Sequence, residues 1–168
     1  INDVDASQHA VSQLAESGRT RIAMINHDLS YKYARLRERG YKSVIHLKDL
    51  DYQAVEYASD LSSRAGMAAM ENLLKENPPD AVFAVSDTLA AGALRAIQQA
   101  GLRVPEDIAV VGFDGTELAD MISLTTIEQP SREIGRKAVD LLLNKIDNPD
   151  APTERVMMDW RFISRAST

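Results

Sequence analysis

Apolar residues follow two alternating patterns along the chain, short continuous runs and longer stretches with a helical period. The clearest continuous run covers residues 108–113 and lies between Pro105 and Gly115. Its length and its β-branched residues are typical of a strand buried on both faces of a parallel sheet. Further short runs predict strands over 21–26, 54–58, 81–85, 125–128 and 156–163.

Between these runs, apolar residues recur every three or four positions, which predicts amphipathic helices. The helices are expected over about 5–17, 30–46, 62–75, 88–99 and 131–146, with Asp5 or Ser7 capping the first. Gly40 lies inside the second, where glycine costs roughly 1 kcal/mol relative to alanine, so we expect close packing there. Strands and helices alternating at this spacing require right-handed crossovers. The sequence therefore predicts an α/β fold with a doubly wound, mainly parallel sheet and helices on both faces.

Composition limits the classes of function. The 168 residues are 45% hydrophobic and 26% charged, which is ordinary for a single globular domain with a sizeable core. With a net charge of −6 the chain gains nothing from counterion release, so we do not expect this chain by itself to bind the phosphate backbone of DNA. Cysteine is absent, which excludes disulfides and cysteine zinc sites and is compatible with the reducing cytoplasm where we expect the protein.

Membrane insertion and secretion are not expected either. No apolar run approaches the roughly 18 residues that a membrane span needs. The chain begins with Ile1 and lacks both a basic segment and an apolar segment of the secretory type. Because it does not begin with methionine, we expect either a processed chain or a piece of a longer protein.

Polar side chains follow four of the predicted strands. They are His27 and Asp28, Asp60 followed by Leu61, Ser86 and Asp87, and Asp114. In open α/β sheets, groups just beyond the carboxyl ends of strands line the ligand crevice. Asp87 is interpreted foremost as the N-cap of the next helix, whereas Ser86 is open between a ligand contact and a structural role. Asp114 is expected to contact ligand, because no helix is predicted directly after it.

Two arginines begin the helix over 30–46. Arg35 and Arg37 are two positions apart and therefore point about 200° away from each other, so only one can face the crevice. An arginine there could hold two hydroxyls or a carboxylate, although a surface ion pair is an equal alternative. The nearby Tyr31, Tyr33 and Tyr41 could stack on a ligand, but aromatic residues at helical spacing more often belong to the core.

The sequence contains no motif of a known catalytic class. It has no phosphate-binding Gly-Lys-Ser/Thr loop, no Gly-x-Gly-x-x-Gly after a strand and no Gly-x-Ser-x-Gly elbow. The three histidines, at 9, 27 and 46, have no partner four residues away, which gives a metal site little support. We therefore expect a protein without enzymatic activity, metal or cofactor.

Five segments, in this order and spacing, resemble the lactose/galactose repressor family of bacterial transcription regulators. They are Arg19-Thr20-Arg21-Ile22-Ala23, residues 30–41 with Ala34-Arg35-Leu36-Arg37 and Gly40-Tyr41, residues 80–92 with Ser86-Asp87, residues 102–115, and residues 124–130 followed by Ile134-Gly135. The resemblance extends over almost the whole chain. It implies a periplasmic-binding-protein-like fold and, specifically, the second subdomain of the effector-binding core.

The resemblance also implies roles for individual residues. Arg37 matches the family's effector-binding arginine, Ser86 a polar position that hydrogen-bonds effector, and Asp114 the carboxylate that anchors sugar hydroxyls or a base edge. Gln129 matches a crossover residue near the pocket. Leu61 stands where many members have a stacking aromatic residue, which puts a standard pyranose in doubt, although Tyr31 or Tyr33 could take that role.

A division of the chain follows from the same resemblance. Residues 1–130 would be the effector-binding C-terminal subdomain, 131–147 a crossover helix of a missing first subdomain, and 148–168 a return strand and tail. The chain would be the sensor of a sugar or nucleoside-like effector in a homodimeric regulator. Operator DNA would be contacted only through a missing helix-turn-helix headpiece. In the helix over 88–99, Leu89, Ala90, Ala93 and Ile97 are expected at the dimer contact.

The alternative is a periplasmic sugar-binding protein of a transport system, which shares the fold. The segments 104–107 and 126–130 argue against it, because mature periplasmic domains usually lack them in this form. An α/β enzyme is a weaker alternative, since no nucleophile or acid–base set supports it.

Overall fold

The computed structural model describes all 168 residues as one α/β unit built on a six-stranded sheet. Along the chain lie α1 (Asp3–Glu16), β1 (Ile22–Asn26), α2 (Lys32–Leu47), β2 (Ala54–Tyr57), α3 (Ser63–Leu73), β3 (Ala81–Ala84), α4 (Asp87–Gln99), β4 (Ala109–Asp114), α5 (Glu117–Met121), β5 (Thr125–Glu128), α6 (Ser131–Asp147) and β6 (Arg161–Ile163). The strand order is β2-β1-β3-β4-β5-β6, with every neighbouring pair parallel except β5 and β6. The predicted fold class is confirmed.

The core lies around the three central strands. Every residue of β1 and β3 is buried, as is all of β4 except its last residue, Asp114. Helices α1 and α2 pack together on one face of the sheet, and α3 and α4 pack together on the other. Such strands have no solvent-facing side, which explains why their sequences are continuous apolar runs rather than alternating ones.

Glycines allow the paired helices to approach closely. A Cβ on Gly40 would lie 2.6 Å from the Val4 carbonyl oxygen, which confirms the close packing predicted for this position. On the opposite face, a Cβ on Gly66 would clash with Leu89, and one on Gly92 would clash with Ser63. Both helix pairs are therefore packed backbone to backbone at these points.

Three predicted features of the elements are wrong. Helix α1 begins at Asp3, because the side chain of Asn2, rather than Asp5 or Ser7, caps it by accepting from the Asp5 amide. A short helix, α5, follows β4, with Thr116 as its N-cap. The last strand covers only Arg161–Ile163 of the predicted 156–163, because only these three residues pair with β5, in the antiparallel direction.

The face of α4 expected at a dimer contact is also not available. Leu89, Ala90, Ala93 and Ile97 are fully buried in the core of this chain, against the sheet and α3. The apolar period of α4 therefore reflects packing against the core of its own chain and not a contact with a second chain. Helix α6 is the opposite case, since it has no buried residue at all. No helix in the structure combines the length and apolar character required to cross a membrane.

Candidate functional site

The carboxyl ends of β1, β3, β4 and β5 meet at one edge of the sheet, where most of the predicted site residues lie. The guanidinium group of Arg37 is the centre of this arrangement. Its Nε donates to Asp3 Oδ1 at 2.9 Å, and its Nη1 donates to the Val85 carbonyl at 2.6 Å and lies 3.6 Å from Asp114 Oδ1. Arg37 is buried, whereas Arg35 is exposed, as their spacing predicted.

Aromatic rings also hold Arg37 in place. Its guanidinium carbon lies 3.5 Å from the ring centroid of Phe113 and 5.1 Å from that of Tyr33. Stacking of a planar cation on aromatic faces is favourable, and more so where water is excluded. Neither Asp3 nor Phe113 was predicted to take part in the site. Phe113 is part of the strand pattern, and Asp3 lies 34 positions from Arg37, so no local pattern reveals either contact.

Asp114 ends β4 in a backbone conformation that is rare for residues other than glycine. Its φ is +121°, and Gly115 after it has a φ of +71°. Residues held in such conformations cluster at ligand sites, where the surrounding contacts enforce them. Gln129 Nε2 donates to Asp114 Oδ1 at 2.8 Å, and the Gln129 amide donates to the Asp114 carbonyl at 3.1 Å. The structure thus brings together Arg37, Asp114 and Gln129.

The pKa of Asp114 is raised to about 6, chiefly by burial. The positive charge of Arg37 and the hydrogen bond from Gln129 lower this pKa, whereas the negative charge of Asp87 raises it. Perturbed carboxyl groups of this kind are characteristic of functional sites. A partly buried carboxylate whose orientation is already fixed is suited to accept hydrogen bonds from ligand hydroxyls.

A cluster of rings borders this edge. His27 Nδ1 and the Tyr33 hydroxyl are 2.7 Å apart, and the His27 ring stacks on Tyr31 with centroids 5.0 Å apart. Asn26 supports the cluster, because its Oδ1 accepts from the His27 amide at 2.8 Å while its Nδ2 donates to the buried Glu38. Tyr31 is half exposed and presents a free aromatic surface. Tyr41, in contrast, is wholly in the core.

The N-cap role predicted for Asp87 is taken by Ser86, the residue before it. The N-cap of α4 is Ser86, whose hydroxyl accepts from the Leu89 amide at 3.2 Å. Asp87 is the first residue of the helix and is fully buried. The N-cap interpretation of Asp87 is wrong because its side chain turns towards β5 and the loop after β4, away from the helix end.

Leu61 stands apart from the other predicted site residues. It is an exposed residue of the loop between β2 and α3, and no hydrogen bond or ring contact described above involves it.

A groove of about 620 Å³ adjoins Asp114 and Gln129, and Arg132, Glu133 and Arg161 line it with other polar residues. No group of three or more histidine, aspartate or glutamate side chains is arranged to hold a metal ion.

Residues 11–168 match the family described as the periplasmic binding protein-like domain. The chain belongs to this family. Within the family, its resemblance to the lactose/galactose repressors, and specifically to their effector-binding portion, is confirmed by known relatives and structures.

The ribose operon repressor of Escherichia coli (strain K12) is 38% identical over 162 residues, which cover 94% of this chain and 49% of the repressor. A LacI family regulator from Enterococcus faecium, solved with bound ribose, is 29% identical with a TM-score of 0.92, covering 99% of this chain and 63% of the other. The lac repressor dimer bound to operator is 32% identical with a TM-score of 0.90, covering 100% and 59%. The chain spans about half the length of the curated relatives it matches.

Proposed function

We propose that this chain is the effector-binding portion of a bacterial transcriptional repressor that senses a sugar or a nucleoside-like molecule. The observation that carries the proposal is the joint placement of Arg37, Asp114 and Gln129 at the carboxyl edge of the sheet. These groups provide a donor fork, an acceptor and an amide, which is a set suited to vicinal hydroxyls. Ser86 and Tyr33 add hydroxyl groups, and Tyr31 is the aromatic surface that replaces the one absent at Leu61.

The division of the chain is part of the same proposal. Residues 1–130 form the effector-binding subdomain, α6 within 131–147 belongs to a first subdomain outside this chain, and residues 148–168 return to the sheet. The absence of any buried residue in α6 supports this division, because an amphipathic helix normally covers its apolar face. Effector would then bind between two subdomains and favour their closed arrangement.

The intact protein is proposed to act in the cytoplasm as a homodimer that contacts operator DNA through a separate headpiece. Effector can change operator affinity only through different affinities for the two arrangements of the dimer. The net charge of −6 supports a headpiece distinct from this portion. The named relatives are repressors, which favours this function over a transport protein or an enzyme.

Calorimetry with the intact regulator tests the proposal, using D-ribose, cellobiose and ribonucleosides as probes. Asp114→Asn and Arg37→Ala should each weaken binding of the best probe about 10- to 100-fold, which corresponds to 1.5–3 kcal/mol for a charge-assisted hydrogen bond. Arg39→Ala is the matched control, because Arg39 lies on the same helix, is exposed and, unlike Arg35, does not bond the carbonyls of residues 29 and 30. Unchanged affinity in both site variants would contradict the proposal.

A further inference from the structure

Asp87 is a buried carboxylate that the site described above does not use directly. It is fully buried at the start of α4, and no ion pair in the structure includes it. Its Oδ2 accepts from the Thr116 amide at 2.7 Å and from the Thr116 hydroxyl at 2.9 Å. Its Oδ1 accepts from the Thr126 hydroxyl at 2.6 Å. One side chain therefore joins the end of β3 to β5 and to the loop after β4.

The neighbouring strand leaves room for this carboxylate. A Cβ on Gly112, in the middle of β4, would lie 2.5 Å from Asp87 Oδ1 and 2.8 Å from Leu124. Any larger residue at this position would displace the carboxylate. Burial of a carboxylate without an ion pair is costly unless hydrogen bonds compensate it, and the three bonds from Thr116 and Thr126 provide this compensation.

Asp87 is linked to both residues that follow Asp114, to Thr116 directly and to Gly115 through Thr126. Thr116 donates two of the hydrogen bonds that Asp87 accepts. The third reaches Thr126, whose hydroxyl in turn accepts from the Gly115 amide at 3.3 Å. The turn so held is the one in which Asp114 and Gly115 both have positive φ. A strained turn persists only where surrounding contacts enforce it, and Asp87 supplies those contacts from a different strand end.

We propose that Asp87 is a positioning residue that holds the 114–116 turn and thereby directs the Asp114 carboxylate towards Gln129 and Arg37. Asp87 acts through Thr116 and Thr126 and does not itself contact the effector. Its importance for sensing rests on the effector-binding role proposed above for Asp114. Its effect on the geometry of Asp114 does not depend on that role, and it can be measured without any ligand.

The test follows the side-chain amide of Gln129 by NMR as the pH is varied, because this amide donates to Asp114 and reports its ionisation. In the wild-type chain the amide signal should titrate with a midpoint of about 6, the pKa of Asp114. Two nearly isosteric variants weaken the link, Asp87→Asn by replacing one accepting oxygen with an NH2 group and Thr126→Val by removing the hydroxyl. In both, the amplitude of the titration should fall by roughly half or more, since a carboxylate that turns away no longer affects the amide.

Asp80→Asn is the matched control. Like Asp87, Asp80 accepts three hydrogen bonds, here from the amides of Thr20 and Arg21 and from the Thr20 hydroxyl, but it lies at the amino edge of the sheet. This variant should lose stability and leave the Gln129 titration unchanged. Folded Asp87→Asn and Thr126→Val chains with a wild-type titration would overturn the positioning role, as would an equal effect in Asp80→Asn. A reduced titration together with unaltered probe affinity in Asp114→Asn would instead contradict the proposed effector contact alone.

Discussion

At the scale of single residues, Arg37 shows how one buried charge organises a site. Its guanidinium group bonds in three directions, to Asp3 on α1, to the Val85 carbonyl and towards Asp114. The planar face of the guanidinium group stacks on the ring of Phe113. A buried cation is tolerated when it is paired and its donors are satisfied, and the planar fork of arginine meets this requirement with little loss of freedom.

Replacement of Arg37 by lysine is therefore expected to be destabilising although the charge is kept. A lysine ammonium cannot bond Asp3 and the Val85 carbonyl in the same geometry and loses the stack on Phe113. An acceptor left unsatisfied in the interior costs about 1–3 kcal/mol, which should appear as a lower free energy of unfolding in urea. The exchange Arg39→Lys, on an exposed side chain of the same helix, should change that free energy little.

The raised pKa of Asp114 predicts a dependence of stability on pH. The carboxyl has an ordinary pKa of 3.8 and a folded pKa of about 6, so between these values the folded chain binds more protons than the unfolded chain. Its contribution to stability is complete below pH 4 and is lost as the pH rises through 6. Asp114→Asn should remove this decline. Urea denaturation at pH 4, 5, 6 and 7 measures it, and parallel curves for both proteins would contradict the raised pKa.

At the scale of elements, the contact between α3 and α4 depends on glycines. Gly66 lies against the backbone of Leu89, and Gly92 lies against that of Ser63, so the two helices leave no space for a side chain at either point. Helix α4 also carries Ser86 and Asp87 at its N-terminus. The packing of this helix pair on the sheet thus sets the position of two residues at the carboxyl edge.

Gly92→Ala is expected to lower the free energy of unfolding by about 1–3 kcal/mol, the usual cost of forcing additional atoms into a packed core. Gly135→Ala provides the matched comparison. Gly135 also lies within a helix, but nothing lies within 4 Å of a Cβ built there. That variant should gain about 0.5–1 kcal/mol from reduced backbone entropy. Equal effects of the two substitutions in thermal or urea unfolding would show that the helices are not in backbone contact.

At the scale of the whole molecule, α6 is the part that the rest of the chain leaves uncovered. Val139, Leu142, Leu143 and Ile146 are each more than half exposed. Contiguous apolar surface of this kind is uncommon on monomeric proteins and marks an interface or an aggregation site. The helical period of the sequence also puts Ile134, Ala138, Leu141 and Leu142 on one face, and of these only Ile134 and Leu141 are half-buried.

We expect the 168-residue chain by itself to associate through α6. Covering a few hundred Å² of apolar surface is worth several kcal/mol at about 25 cal/mol per Å², enough to compensate part of the entropy of association. Sedimentation at micromolar concentration should show species larger than a monomer, and Leu142→Lys should reduce them. Asn144→Lys adds the same charge to the same helix at a polar position and should have a smaller effect. A monomer at all concentrations would contradict this expectation.

The local pattern of the sequence determined the order and type of most elements, because strands buried on both faces and amphipathic helices each have their own apolar period. It also places Asp114 at the carboxyl edge of the sheet, because that residue ends a buried strand. The spacing of Arg35 and Arg37 leaves the choice between them open, and the family resemblance selects Arg37. Only the tertiary structure decided which groups these residues contact. Three of these contacts join positions far apart in the chain: the Asp3–Arg37 pair, the hydrogen bonds of Asp87 with Thr116 and Thr126, and the antiparallel pairing of β6 with β5. Their geometry depends on how the elements pack, which a local pattern does not encode.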